Sequence, residues 1–196
     1  MKKLTTIILF FSLNVFSQPN ESRINRLRSE TIIDNQDKAV FDLLDEFYTQ
    51  GLQSELGELN PNTQKKIDKL YKNKNTKNRH LLLMFIAYQD HITQTLAVGK
   101  RPNPKFQVEL MTDLAYEFQN IFNKIPAIIY IYKFEALDTS GQNEEAAKII
   151  DEGLSDYSDS VPLKIYKFLS SKDETIKTDL VNNHSNHWMV KQFEIK

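Results

Sequence analysis

Phe106, Leu110, Leu114, Phe118 and Phe122 recur at every fourth residue, flanked by Met111, Ala115 and Ile121. That spacing lays large apolar side chains along one stripe of an α-helix, and other elements must cover the stripe. Just before it, Asn103 stands where a cap is needed and Pro104 in a first turn, after the stiff Arg101-Pro102 pair. Upstream, Leu81 to Tyr88 is a continuous apolar run that carries on through His91, Ile92 and Leu96 to Gly99. It predicts a helix buried on both sides and central to its domain. The punctuation fits this frame. The chain has only 5 Gly and 6 Pro. Gly51, Gly99 and Gly141 follow periodic segments and Pro104, Pro126 and Pro162 precede them, as helix stops and starts require. The expectation is an all-α fold.

The same reading gives the other helices. Asp34 or Asn35 caps a helix carrying Val40, Phe41, Leu44, Phe47 and Tyr48. Gly51 ends it, although Leu52, Leu56 and Leu59 keep helical spacing as far as Asn60-Pro61. Thr63 to Asn73 reads as a short basic helix with Ile67, Leu70 and Tyr71 inward, and Lys74 to Lys77 as a polar joint. Near the end, a helix from about Pro162 to Leu169 precedes Ser171-x-x-Glu174, a capping-box pattern that opens a helix with Ile176, Leu180 and Val181. Asn182 to Asn186 reads as a turn, and Trp188, Met189, Val190 and Phe193 as a last helix.

Between these lies a helical hairpin, Pro126 to Ser160. Pro126 suits a first turn, and Ile128 to Tyr132, Phe134, Ala136 and Leu137 follow. Gly141 can take the left-handed conformation that stops a helix. Asn143 caps a second helix with Glu144 and Glu145 in its first turn, and Ala146, Ile150 and Leu154 share one face. This stretch resembles a tetratricopeptide repeat. Gly141-Gln142-Asn143-Glu144-Glu145-Ala146-Ala147 looks like that family's turn, with the small Ala146 where the helices come closest. Leu154 and Tyr157 to Ser160 look like its closing segment, and Tyr130, Phe134 and Leu137 fall on positions facing the second helix. It departs from the pattern at Phe134, Gly153 and Ser158, where the family prefers a small residue, Ala and Pro. The likeness covers about 35 residues, the length of one unit. Val161 to Phe168 echoes Ile125 to Phe134 and marks a weaker second copy, with Tyr166 in the place of Tyr130. The resemblance implies stacked antiparallel hairpins, either a tetratricopeptide-like α-α superhelix or a compact helical bundle around one preserved hairpin.

Residues 1–17 have the form of a secretory signal peptide. Lys2 and Lys3 precede the apolar stretch Leu4 to Phe16, and Ser17-Gln18 is the expected cleavage point. That stretch is short for a membrane span, so no stable span is expected after cleavage, and no cysteine stands there to carry a lipid. With 0 Cys, an exported fold must rest on its core alone. The domain plan is a signal peptide at 1–17, an N-terminal arm at 18–34 and one all-helical domain at 35–196. The destination is periplasmic or secreted.

Charge and motifs narrow the function. A formal net charge of −1 argues against a nucleic-acid surface, and the basic run from Lys65 to Arg79 reads as a solvated face. His184-x-x-His187 has a metal-like spacing but supplies only two ligands where zinc needs three or four. Asp90 and His91 diverge by about 100° on a helix and form no dyad, so His91 and nearby His80 read as histidines bonded to a neighbouring helix. No Gly-x-Ser-x-Gly elbow and no glycine-rich phosphate loop is present. No catalytic, cofactor-binding or metal residue is therefore assigned. Glu144, Glu145, Asp151 and Glu152 read as a solvated face or an acidic groove. Tyr130, Tyr132 and Tyr166, with Glu145, are the candidate peptide-binding surface, set against ordinary core packing of the rings. The functional expectation is an exported, non-enzymatic protein- or peptide-binding module of a bacterial cell envelope. Its rivals are a small envelope hydrolase using His91, His184 or His187, and a helical carrier holding a lipid or small ligand near Leu81.

Overall fold

The computed structural model describes residues 20–196, with side chains from Ile24 onward, and the expected leader at 1–17 lies outside the described residues. Among the described residues the chain forms α-helices and one π-helical turn, with no strand. In chain order these are α1 (Asn20–Ser29), α2 (Ala39–Tyr48), the π-turn (Thr49–Gln53), α3 (Pro61–Lys72), α4 (Arg79–Ala97) and α5 (Pro104–Phe122). After them come α6 (Ala127–Thr139), α7 (Asn143–Asp156), α8 (Val161–Ser171), α9 (Glu174–His184) and α10 (Trp188–Gln192). The all-α class is as the periodicity requires. From α4 to α9 each helix packs on the next, so that α4–α5, α6–α7 and α8–α9 form successive hairpins. Helices α2 and α3 pack on α4, α2 also reaches α6, and α1 packs on α4 and α5.

The α5 stripe lies inward as its spacing demands. Leu110, Leu114 and Phe118 are buried with Met111 and Ile121, while Phe106 and Phe122 at the two ends are half-buried. Asn103 Oδ1 accepts the backbone N–H of Phe106 at 3.3 Å, and Asn123, left-handed at φ 53°, closes the other end. In α4, Leu81, Leu82 and Met84 to Tyr88 are buried, but Leu96 is 54% exposed, so its last turns run past the core. Helix α6 has neighbours on most of its sides. Ala127 to Ile131, Phe134, Ala136 and Leu137 are all buried, against α5, α7, α8 and α2. A second, smaller cluster forms on the far side of α8 from Val161, Ile165, Leu180, Met189, Val190 and Ile195.

Several ends differ from the sequence expectation, each for a local reason. Neither Asp34 nor Asn35 caps α2. Asp37 Oδ1 accepts the N–H of Ala39 at 3.0 Å, and Asp34 accepts from Gln36 instead. Nor does Gly51 stop the chain or Leu52 to Leu59 stay helical. The π-turn runs through Gly51 to Gln53, Ser54 is extended, and Leu56 is 77% exposed. The wider turn brings Gln53 to the start of α8. Gln53 Oε1 accepts from Tyr48 Oη at 2.8 Å and from the N–H of Val161 at 3.0 Å. Tyr48 Oη also lies 2.6 Å from Ser160 Oγ, and burial pushes its phenol up to about 12. The cap of α9 is Asp173, accepting from Thr175 at 2.8 Å, while Ser171 ends α8. Helix α9 runs on to His184, so Asn182 and Asn183 are helical rather than in a turn.

The C-terminal helix is seated by Trp188. Its backbone N–H donates to Glu55 O at 3.1 Å, and its indole covers Gly57. Gly57 has φ +67°, and a Cβ there would fall 2.6 Å from Trp188 Nε1. Gly57→Ala should therefore destabilise the protein by about 2 kcal/mol, from left-handed strain and displacement of the indole. Trp188 is the sole tryptophan, so native emission should shift to the red and the urea midpoint should fall. An unchanged spectrum and midpoint would show that the indole does not seat the tail.

Candidate functional site

The α6–α7 turn closes through the backbone. Gly141 has φ +80°, the N–H of Gln142 donates to Leu137 O and that of Gly141 to Asp138 O, both at 2.9 Å. This pattern satisfies the last carbonyls of α6. Asn143 does not serve as the cap: it is the first residue of α7, and Gln142 takes the cap position without a side-chain bond. Inside the hairpin, Ala146 is buried, and a Cβ on Gly153 would meet Tyr130 Cβ and Leu163 Cδ1 at 3.1 Å. The glycine is what lets α6, α7 and α8 converge, and it accounts for the departure from alanine at that position.

The four candidate surface residues do not form one surface: Tyr130 and Glu145 lie apart, and Tyr132 and Tyr166 share Glu135 as a neighbour. Tyr130 is buried, with Oη donating to Asp156 Oδ2 at 2.6 Å and its ring edge-on to Tyr157. It is a packing residue of the hairpin and presents no ring to a ligand, because Gly153 brings α7 directly onto it. Tyr132 is half-buried and stacked on Tyr88, with centroids 5.2 Å apart. Tyr166 is half-buried against Phe134 at 5.1 Å, and its hydroxyl donates to Glu135. Glu145 stands exposed in the first turn of α7 and belongs to neither cluster. Of the other acids on α7, Asp151 pairs with Lys167 of α8 at 2.6 Å, and Glu144 and Glu152 are exposed.

The residue that joins Tyr132 and Tyr166 is Glu135, which the sequence reading passed over. Burial pushes its carboxyl above the usual range, and the Tyr166 hydrogen bond opposes that. In turn burial and then the Glu135 charge push the phenols of Tyr132, Tyr166 and Tyr88 up. Tyr88 Oη donates to the Tyr132 carbonyl at 3.3 Å. Beside this cluster, burial lowers the Lys133 ammonium while Glu152 raises it. The available signal was the helix itself: apolar residues crowd α6 on both sides of Glu135, at Ile131, Phe134, Ala136 and Leu137.

The four histidines do not converge. His80 is fully buried, its Nε2 3.2 Å from Glu117 Oε2. His91 Nε2 accepts the N–H of Asn103 at 2.9 Å, its ring lies on Phe106, and burial lowers its pKa. His187 is buried and caps α10, with Nδ1 accepting from Met189 N–H at 3.2 Å. Burial lowers its pKa too. His184 Nε2 lies 3.9 Å from Asp179 Oδ2, which also holds Lys164 at 2.7 Å. Among the described residues no three His, Asp or Glu side chains are grouped to hold a metal ion.

Two spaces remain. A cleft of about 220 Å³ opens between the α6–α7 hairpin and α8, lined by Phe134, Asp138, Asn143, Ala147, Lys167 and Ser170 among others. An apolar cavity between α2, α3 and α4, lined by Leu43, Phe47, Ile67, Leu82, Phe85 and Ile86 among others, has only about 20 Å³ of room. The fold and cleft define an all-helical protein of stacked hairpins. Comparison with protein-family models, curated proteins and solved structures returned no match.

Two substitutions test this packing. At Gly153→Ala, alanine gains about 1 kcal/mol of helix propensity. Overpacking against the Tyr130 Cβ, which cannot rotate away, costs 1–3 kcal/mol, roughly, and wins. A net loss of about 1 kcal/mol in a urea melt is expected; a gain would mean that α6 and α7 separate easily. For Glu135 the sign follows from its raised folded-state pKa. The folded chain holds the proton more tightly, so stability is fully present below the unfolded value of 4.5 and falls as pH rises through the folded value. Glu135→Gln keeps an acceptor for Tyr166 and removes the charge. It should melt above wild type at about pH 7.5, and the two should converge at about pH 4.5. Equal melting temperatures at both pH values would show that the ionised carboxylate costs nothing there.

Proposed function

We propose that the chain is a non-enzymatic interaction module that takes an extended peptide segment of a protein partner in the cleft between α6–α7 and α8. The observation that carries this is the mixed lining of the cleft. Phe134, Ala146 and Ala147 give an apolar floor, and Asp138, Lys167, Asn143 and the serines give a polar rim. An extended peptide needs both, pockets for alternate side chains and polar groups for its backbone. The tetratricopeptide-like reading of the hairpin supports the same face. Helices α6 and α7 have 13 and 14 residues, and α8 and α9 follow as a shorter hairpin of 11 and 11. Stacked helical hairpins form grooves because each leans on the next.

The lipid-carrier alternative draws no support from the apolar cavity, since about 20 Å³ compares with roughly 300 Å³ and upward for small-molecule sites. The place of action in this reading is the bacterial cell envelope, on the strength of Lys2-Lys3, the apolar Leu4 to Phe16 and Ser17-Gln18. Among the described residues no helix is long and apolar enough to cross a membrane.

Ala147→Arg tests the cleft by filling it from its half-buried floor. Wild type and variant, each verified as folded by circular dichroism, would be immobilised and exposed to envelope extract with a cross-linker. A partner held by the wild type should bind the variant about tenfold less, the loss of some 1.4 kcal/mol. Equal capture by both would remove the cleft from the reading.

A further inference from the structure

Helix α1 is a polar helix whose side chains are described from Ile24 onward. Among these, Ile24 is buried in the main core and Leu27 packs on it half-buried, while Arg26 is exposed. Charge adds to that packing: Arg28 Nη1 lies 3.1 Å from Glu117 Oε1 on α5. The other oxygen of that carboxylate, Oε2, lies 3.2 Å from Nε2 of His80 on α4. One buried carboxylate thus joins three helices. Immediately after α1 the chain is pinned independently. Asn78, itself fully buried, donates its N–H to Ile32 O at 2.9 Å. Its side chain takes the N–H of Asp34 at 3.0 Å and donates to Asp34 O at 2.6 Å and Asp37 O at 3.0 Å. Release of α1 would uncover the core at Ile24 but leave the backbone from Ile32 onward held by Asn78.

We propose that His80, Glu117 and Arg28 form an acid-sensitive latch that holds α1 on the α4–α5 hairpin near neutral pH and releases it on acidification. The geometry supplies the sensitivity. Neutral His80 donates from Nε2 to Glu117, and its Nδ1 is buried without a hydrogen-bond partner. A bare lone pair is tolerated in that position. A proton there creates a buried N–H with no acceptor and a second cation competing with Arg28 for one carboxylate. Lifting α1 removes the guanidinium and admits water to the ring.

The groups facing His80 all bear on this. Glu117 faces it from α5, with Asp113 one turn earlier on that helix, and Arg28 faces it from α1. On its own helix, Arg79 is turned to the Tyr71 carbonyl of α3 at 2.7 Å. Glu46 of α2 is occupied with Lys66 of α3, and Asp42 and Asp45 of α2 are exposed. Burial lowers the His80 pKa below the ordinary histidine value, the Glu117 charge and hydrogen bond oppose this, and Arg28 reinforces it. The docked form therefore repels the proton that the released form accepts, and the ratio of released to docked chains rises as pH falls through the ordinary histidine range.

The chain has 0 Cys, so a pair of introduced cysteines can be labelled cleanly. Arg26→Cys on α1 and Asn120→Cys on α5, both at exposed positions, would carry nitroxides in the full chain. Pulsed electron resonance would read their separation at about pH 7.5 and about pH 5.5. The expected result is a single short distance at the higher pH and a longer component at the lower, its ratio to the short one raised about tenfold per pH unit below the histidine range. His80→Gln keeps a donor for Glu117 and cannot take the proton, so it should stay docked at both pH values. Arg28→Gln, a surface change, should show the longer component at both while keeping its helical signal. An unchanged wild-type distribution, a His80→Gln protein that responds like wild type, a docked Arg28→Gln, or loss of the whole helical signal together with the release would each overturn the latch.

Discussion

Helix α6 leaves almost no face for solvent, and the arrangement of its neighbours follows from that. Eight of its residues are buried. At about 1.5–3 kcal/mol for each large apolar side chain taken out of water, no other placement of this segment competes. Four neighbours are needed to cover it, and α5, α7, α8 and α2 supply them. The polar groups it carries inward must then be met where they lie. Tyr130 meets Asp156, and Glu135 meets Tyr166. These bonds are modest in net worth, but a buried group left without one costs more than the bond contributes. The polar positions of α7 and α8 that face α6 are consequences of its apolar composition.

The α5 stripe, the Asn103-Pro104 start and the Gly141 turn were legible because each is decided within a few residues. Cap identity was less so. Around Asp34 to Asp37 and Ser171 to Asp173, several short polar side chains lie within two residues of one another. Which of them caps depends on the backbone angles of one position, as Asp173 shows by taking the role from Ser171. The π-turn had a misleading signal in Gly51. It is stabilised instead by Gln53 reaching Val161 and Asp159, partners more than a hundred residues away in sequence. The tyrosines show the same limit in another form. Their aromatic character was plain, but a helix that is apolar all round gives no direction to its side chains, so spacing could not say that Tyr130 packs inside the hairpin.

The His184-x-x-His187 spacing fails for a reason the sequence only half discloses. Residues three apart share a face only while one helix continues. Here α9 ends at His184 and α10 begins at Trp188, and His187 turns its ring to cap the new helix. Its first hydrogen bond is to Met189 in its own helix, whereas His184 looks back toward Asp179. His80 carries no motif at all, yet it is the histidine placed in the most constrained electrostatic setting, because burial and a shared carboxylate are properties of three helices together.

The two faces of α8 decide what the neighbouring cleft can do. Leu163 belongs to the main core and Val161 and Ile165 to the C-terminal cluster, so α8 cannot shift without loosening both. Gln53 at Val161 and the Ser160 hydroxyl at Leu163 fix its start again. The floor of the cleft is in consequence rigid. Its rim is different. Lys167 is tied to Asp151, a carboxylate more than half exposed, and pairs of that kind contribute about 0–1 kcal/mol. Lys167 can therefore exchange Asp151 for a ligand carboxylate at little cost, whereas moving Phe134 or Ala146 would open the core. A ligand in this cleft must fit the floor as it stands and can choose only among arrangements of the rim, so shape would be selected by the apolar packing and charge by Lys167 and Asp138.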